Sequence, residues 1–147
     1  MPTLSQDIIS AAQSAMIKWK VPASVSLAQY GLESGWGAHA PGNNPFGIKA
    51  LAGYPTQVIA THEFVNGALR PYNLTFAAFP SISDAFDVHA KLIATNLIYA
   101  PAMEKLPDLQ GFITLMGAHY ATDPLYAHKI MQIITQDGFT KYDRPTV

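Results

Sequence analysis

The sequence predicts a mainly α-helical domain interrupted by one small β-hairpin, and three observations carry that expectation. Segments in both halves of the chain repeat apolar residues every three or four positions, the period of an amphipathic helix. Residues 57–64 and 69–79 are rich in Val, Ile, Thr, Tyr and Phe and flank Asn66-Gly67, the dipeptide most favoured in a tight hairpin turn. Between these parts, residues 35–54 hold five glycines, two prolines and an Asn pair, too much turn chemistry for regular structure.

The 147 residues, 49% hydrophobic and 13% charged, suit one compact domain over 1–147. A net charge of -1 supplies no basic excess for nucleic acid or anionic membrane. The absence of cysteine excludes a disulfide framework, a thiolate zinc site and a cysteine nucleophile. No basic segment leads into an apolar run at the start, and no uncharged apolar stretch is long enough to span a bilayer. Work outside the cytoplasm would therefore need an export route other than a signal peptide.

Taken in order, residues 5–19 place Ile8, Ala12, Ala15, Met16 and Trp19 on one face, with Ser5 as N-cap, and Val21-Pro22 ends that helix. Pro22 suits the first turn of a second helix reaching Ser34, with Val25, Ala28 and Leu32 on its buried stripe. Gly31 costs that helix about 1 kcal/mol relative to Ala, so a close neighbour or ligand is expected to need the room. After the shaped loop comes the hairpin, where Pro71 marks a free edge. Ser81 with Asp84 three positions on caps a helix carrying Phe86, Ala90, Ile93 and Leu97. Pro101 and Pro107 bracket a linker with room for a short turn. A helix over 108–120 follows, and Asp123-Pro124 is read as the N-cap and first position of a last helix ending at Asp137-Gly138. Residues 138–147 are expected to form a loose C-terminal tail.

Glu33 is the leading chemical candidate. It sits where Gly35 and Gly37 break the second helix, beside Trp36. The negative end of the helix dipole and an apolar indole both disfavour its ionised form, raising its pKa toward that of a general acid at neutral pH. An exposed glutamate at a helix end satisfies the same position. Gln29, one turn earlier, can reach the carboxyl group or a substrate. Glu63, in the first hairpin arm, is the best second carboxylate, since glycoside hydrolysis commonly uses two; a solvated residue on a half-buried strand is its other reading. Asp84, Asp87, Asp108 and Asp123 are explained by capping and helix surface. The five histidines show no metal-ligand spacing, and there is neither a Gly-x-Ser-x-Gly elbow nor a phosphate loop. Trp36, Phe46, Tyr120 and Tyr126, with the amides Asn43 and Asn44, suit a sugar chain, whose faces are apolar and edges hydroxylated, although most such rings could equally belong to the core.

Leu27-Ala28-Gln29 through Leu32-Glu33-Ser34-Gly35-Trp36-Gly37, then Ala40-Pro41-Gly42-Asn43-Asn44-Pro45-Phe46-Gly47-Ile48-Lys49, resembles the signature of glycoside hydrolase family 73, the flagellar-rod and autolysin type glucosaminidase domains of bacterial peptidoglycan hydrolases. Phe76-Ala77-Ala78-Phe79-Pro80-Ser81 resembles the family's exit from its hairpin, and Tyr120-Ala121-Thr122-Asp123-Pro124, followed by Tyr126-Ala127, its tyrosine motif. The resemblance covers residues 5–137 and departs at Pro45, where family members more often carry a bulky apolar residue such as Leu.

It implies a lysozyme-like α+β fold with a small β-hairpin lobe, and cleavage of the peptidoglycan glycan strand, usually at the N-acetylglucosaminyl-β-1,4-N-acetylmuramyl bond. It implies Glu33 as proton donor, Glu63 as the second catalytic group, and Tyr120 as a tyrosine needed near the scissile sugar. Gln29, Trp36, Asn43, Asn44, Phe46 and Tyr126 are the expected substrate-binding residues, with no metal or cofactor. A monomer is expected, acting in the periplasm or cell wall after export by a holin or a secretion machine. The competing functions are a lytic transglycosylase or muramidase on the same strand, and a catalytically silent wall-binding module of a phage tail or secretion apparatus.

Overall fold

The computed structural model describes residues 4–144, except the side chain of Glu63. Six α-helices and one hairpin occur among them: α1 Gln6–Trp19, α2 Ala23–Ser34, β1 Thr56–Val65, β2 Ala68–Ala77, α3 Ile82–Thr95, α4 Ala100–Lys105, α5 Leu109–Tyr120 and α6 Tyr126–Asp137. The mainly helical class with a small β-lobe is what the pattern predicts. No described helix is long and apolar enough to cross a membrane.

Local chemistry explains most boundaries. Ser5 caps α1 by accepting from the Ile8 amide at 3.3 Å, and Ser81 caps α3 by accepting from Asp84 N at 3.2 Å. Asp108 does the same for α5 through Gly111 N at 3.1 Å, each side-chain oxygen satisfying a first-turn amide that has no helical partner. Asn66 and Gly67, at φ 52 and 78, make the tight turn of the hairpin and set Val65 opposite Ala68. The arms run ten residues each: the first extends one residue past its expected limits at each end, and the second starts one residue early and stops at Ala77 instead of Phe79. A single bridge from Lys49 to Phe76, with Ala77 N donating to Ile48 O at 3.0 Å, ties the loop to the root of β2.

Five expectations need correction. Leu32, expected on the buried stripe of α2, is 38% exposed, and Leu97, expected on α3, lies past its end at Thr95 in a 3-10 turn and is 85% exposed. The linker bracketed by Pro101 and Pro107 is largely α4, a six-residue helix that starts at Ala100, carries Pro101 in its first turn and buries Ala102. Asp123-Pro124 does not open α6: Asp123 accepts from Leu125 N at 2.9 Å in a turn, and the helix begins at Tyr126. The loose tail is, over Phe139–Asp143, a 3-10 helix with Phe139 buried and Asp143 accepting from both the Ser24 amide (2.7 Å) and hydroxyl (2.6 Å). Residues 145–147 lie outside the described residues.

α2 is the axis of the molecule. Ten of its twelve residues are buried, and α1, α6 and the final 3-10 turn pack around it. Leu27, Phe86, Ile93, Phe112, Ile113, Met116, Ile130 and Ile134 fill the surrounding core. Two polar side chains, Gln29 and His89, are buried among them, and a buried polar group is tolerated only when it is hydrogen-bonded.

Candidate active site

Glu33 lies in the last turn of α2, whose end is set by Gly35 at φ 58, a left-handed conformation open to glycine without a Cβ penalty. The chain then turns away from the helix axis, and Ser34 secures the exit by donating to Tyr30 O at 2.6 Å and accepting from Gly37 N at 2.8 Å. The glutamate is left at the rim of the core, opening to a cleft.

Two adjoining cavities share Glu33. One, of about 750 Å³, is walled by residues 37–41 with Asn44, Pro45, Ile59 and Phe76. The other, of about 470 Å³, is walled by Phe46, Lys49, His89, Asn96, Tyr99 and Tyr120, among others. Lys49 places its ammonium 4.2 Å above the Phe76 ring, joining the wall of one cavity to the wall of the other. Among the described residues, Glu33 is the one carboxylate lining either cavity.

Tyr120, at the end of α5, donates its hydroxyl to Glu33 Oε2 at 3.2 Å. Tyr126, at the start of α6, stacks on Tyr120 with centroids 5.4 Å apart, which brings a second phenol close enough to act on the Glu33 carboxyl group. Withdrawal of the carboxyl group from water raises the Glu33 pKa from 4.5 to about 7, and the hydrogen bonds from Tyr120 and then Tyr126 work against that rise. Burial, and then the charge of Glu33, pushes the Tyr120 phenol well above its ordinary value; burial raises Tyr126 in the same way. Both phenols therefore stay protonated and act as donors.

Behind the tyrosines lies a buried polar pair. Gln29 Nε2 reaches the Tyr126 hydroxyl at 3.1 Å, and Gln29 Oε1 stands 2.7 Å from His89 Nε2. Burial depresses His89 to about 3, so the imidazole is neutral. Its ring is fixed by a parallel stack on Phe46 at 3.9 Å.

The structure thus brings together Glu33, Tyr120, Tyr126 and Phe46 of the residues singled out from sequence. Gln29 is corrected: fully buried, its amide is committed to Tyr126 and His89 rather than offered to a ligand. Asn44 lines the larger cavity, yet its buried amide holds the loop, donating to Ile48 O and Ala77 O at 2.9 Å each and accepting from Ile48 N at 3.1 Å. Asn43 lines neither cavity and donates to Phe79 O at 3.0 Å. Trp36 is not the wall beside the carboxylate: its indole lies over Gly31, where an added Cβ would come within 2.5 Å of the ring, and packs edge-on against Phe139 at 5.9 Å. Gly31 is therefore explained by that ring, and the raised pKa by partial desolvation of a carboxyl group that still opens to the cleft. Glu63 pairs with Arg70 in the backbone register; its side chain lies outside the described residues. Sequence reasoning missed His89, Tyr99, Ile59 and Phe76 as site residues. They carry no local motif and converge only through the packing of α3, the turn before α4, and the hairpin root. No cluster of three or more metal-ligating side chains occurs among the described residues.

The sequence matches the glucosaminidase family, described as mannosyl-glycoprotein endo-beta-N-acetylglucosaminidase, over residues 9–138. The peptidoglycan hydrolase FlgJ of Salmonella typhimurium is 36% identical over 125 residues, 79% of this chain and 40% of that protein. The autolysin of Enterococcus faecalis is 33% identical over 135 residues, 84% of this chain and 18% of that protein. The chain spans two fifths or less of the length of these two relatives. Among solved structures, the catalytic domain of the autolysin Auto from Listeria monocytogenes is 28% identical with a TM-score of 0.82, covering 97% of this chain and 89% of that one. A C-terminally truncated glycoside hydrolase domain of Salmonella typhimurium FlgJ is 33% identical with a TM-score of 0.70, covering 89% of this chain and 95% of that one.

Proposed function

The chain belongs to the glucosaminidase family of glycosidases, and on that premise we propose that it hydrolyses the glycan strand of peptidoglycan, at the N-acetylglucosaminyl-β-1,4-N-acetylmuramyl bond, with Glu33 as general acid. The observation that carries this reading is the carboxyl group of Glu33, held near pKa 7 where two cavities meet. A proton donor in the middle of a cleft suits an internal bond of a polymer, with sugars extending to both sides. Glu33 protonates the leaving oxygen as the bond breaks, and Tyr120, bonded to the same carboxyl group, steadies the carboxylate that forms.

Glu63 is proposed as the second catalytic group. Its backbone position supports this: alternation along β1 places residue 63 on the same ladder face as Ile59, which lines the larger cavity with Phe76. Phe46, in the wall of the smaller cavity, is the proposed sugar contact, whereas Asn44 acts by holding the loop and Tyr126 through Glu33. Such a substrate sets the site of action in the periplasm or cell wall; delivery by a holin or a secretion machine, and action as a monomer, complete the proposal.

Glu33 with its tyrosine partner also supplies the single acid that a second reading, a lytic transglycosylase, requires. The test is digestion of purified peptidoglycan with the wild type, Glu33→Gln and Glu63→Gln, followed by mass spectrometry of the products. Hydrolysis is expected to give N-acetylglucosamine at the new reducing end and to fall about a thousandfold or more in Glu33→Gln. A 1,6-anhydro product would replace it with the transglycosylase, an N-acetylmuramic acid reducing end with a muramidase, and binding without release with a silent wall-binding module. Unchanged turnover in Glu33→Gln would remove Glu33 from its role.

A further inference from the structure

We propose that His89, acting through Gln29, is a positioning residue that fixes the direction of the Tyr126 hydroxyl and so keeps its proton on Glu33. The inference rests on the reading of Glu33 as the acid and follows from hydrogen-bond direction. An amide oxygen only accepts and an amide NH₂ only donates. Gln29 turns its oxygen to His89 Nε2 at 2.7 Å and its nitrogen to the Tyr126 hydroxyl at 3.1 Å. His89 must therefore carry its proton on Nε2. The Tyr126 oxygen accepts from Gln29, so its own proton is left to turn toward Glu33, which lies beyond the stacked Tyr120 ring.

The opposite tautomer reverses the chain. With the proton on Nδ1, His89 Nε2 accepts, the Gln29 amide turns over, and Tyr126 donates inward to Gln29 Oε1. The Tyr126 proton is then withdrawn from Glu33 while the Tyr120 bond remains. Solvent does not reach Gln29, which is 0% exposed, and His89 shows only 2% of its surface where it lines the smaller cavity. The imidazole is also clamped, stacked on Phe46 at 3.9 Å and edge-on to Tyr120 at 5.8 Å. Burial keeps it neutral, which a tautomer-dependent role requires. The titratable groups around Glu33 are Tyr120 from α5 and Tyr126 from α6, with Tyr99 behind both, and His39 and Lys49 in the two cavity walls.

Two measurements test this. The ¹⁵N spectrum of the wild-type protein reads the His89 tautomer directly and needs no variant; an Nε2–H form is expected, and an Nδ1–H form overturns the proposal. Second, the Glu33 carboxyl is titrated by ¹³C NMR in wild type, His89→Phe, His89→Gln and Tyr126→Phe. His89→Phe keeps a ring on Phe46 but removes the donor, so the Glu33 midpoint is expected to rise by about one pH unit, the size of one hydrogen bond to a carboxylate. Tyr126→Phe gives the same rise and the double variant no more. In turnover, kcat is expected to fall about tenfold with KM within twofold, and His89→Gln, which restores an Nε2 donor, returns both readouts toward wild type. An unmoved Glu33 midpoint in folded His89→Phe also overturns the proposal. Retained activity in Glu33→Gln would instead sink the reading of the acid, independently of the NMR result.

Discussion

Burying an acid until it keeps its proton to about pH 7 has a stability cost that Glu33→Gln should expose. The native pKa of about 7 lies above the ordinary 4.5, so the native state binds the proton more tightly than the unfolded chain. The stability tied to that proton is complete below about pH 4.5, declines as pH rises toward 7, and is gone above it. A shift from 4.5 to 7 corresponds at most to about 3.4 kcal/mol. The side chain opens to the cleft, where water screens it, so about half or less, 1–2 kcal/mol, is expected. Glutamine is neutral at every pH and matches protonated glutamate in shape. Glu33→Gln should therefore melt with the wild type at pH 4 and about 3–6 °C above it at pH 8. Thermal unfolding of both proteins across pH 4–8 makes the comparison. Parallel curves over that range, or a gap at pH 4 that closes by pH 8, would refute the reasoning.

Three further outcomes are expected. Because the protonated form of Glu33 does the work, kcat/KM should decline above about pH 7, approaching tenfold per unit, and Tyr120→Phe should move that limb to higher pH while lowering kcat about tenfold, since the lost hydrogen bond favours the carboxylate. Gly31→Ala sets a methyl group against the Trp36 ring and should cost about 1–3 kcal/mol by denaturant unfolding, loosening the Trp36–Phe139 contact seen in tryptophan fluorescence. Asn44→Ala leaves Ile48 O and Ala77 O without that donor and should cost about 2–4 kcal/mol, with faster hydrogen exchange at the hairpin root before the helices.

What could be read from the sequence is what is decided within one turn of chain. Ser5, Ser81 and Asp108 cap their helices by bonds to residues three positions on, and Asn66-Gly67 turns the hairpin by its own φ angles. Where distant contacts decide, local reading failed. α4 carries in its first turn one of the two prolines that suggest a break, and its Ala102 is buried in the core. Phe139 in the supposed tail is buried because Trp36 and Tyr142 receive it. The site divides in the same way. The helix break located Glu33, but the partners that tune it lie 87 and more residues away. Asn43 and Asn44 are neighbours of one residue type, yet one holds the Phe79 carbonyl outside both cavities and the other anchors the hairpin root. Helical spacing placed Gln29 on the side of Glu33 without revealing its depth, and depth turns a candidate substrate contact into a buried link between His89 and Tyr126.

The balance at Glu33 explains why two phenols and not an apolar wall surround it. Dry packing alone would raise the carboxyl pKa further, keeping the acid protonated but making it a weak donor, since proton transfer slows as the donor's pKa climbs above the working pH. Water alone would leave it ionised and empty. Tyr120 and Tyr126 hold an intermediate setting, because each hydrogen bond favours the carboxylate left after transfer while burial favours the acid before it. Their own burial keeps both phenols from ionising, so they cannot compete for the role they support. A tyrosine pair stacked at 5.4 Å from two different helices can keep that setting only while α5 and α6 stay in register with α2. The close approach of Gly117 on α5 to Ala127 on α6 serves that register, since a Cβ at Gly117 would stand 3.1 Å from the alanine methyl.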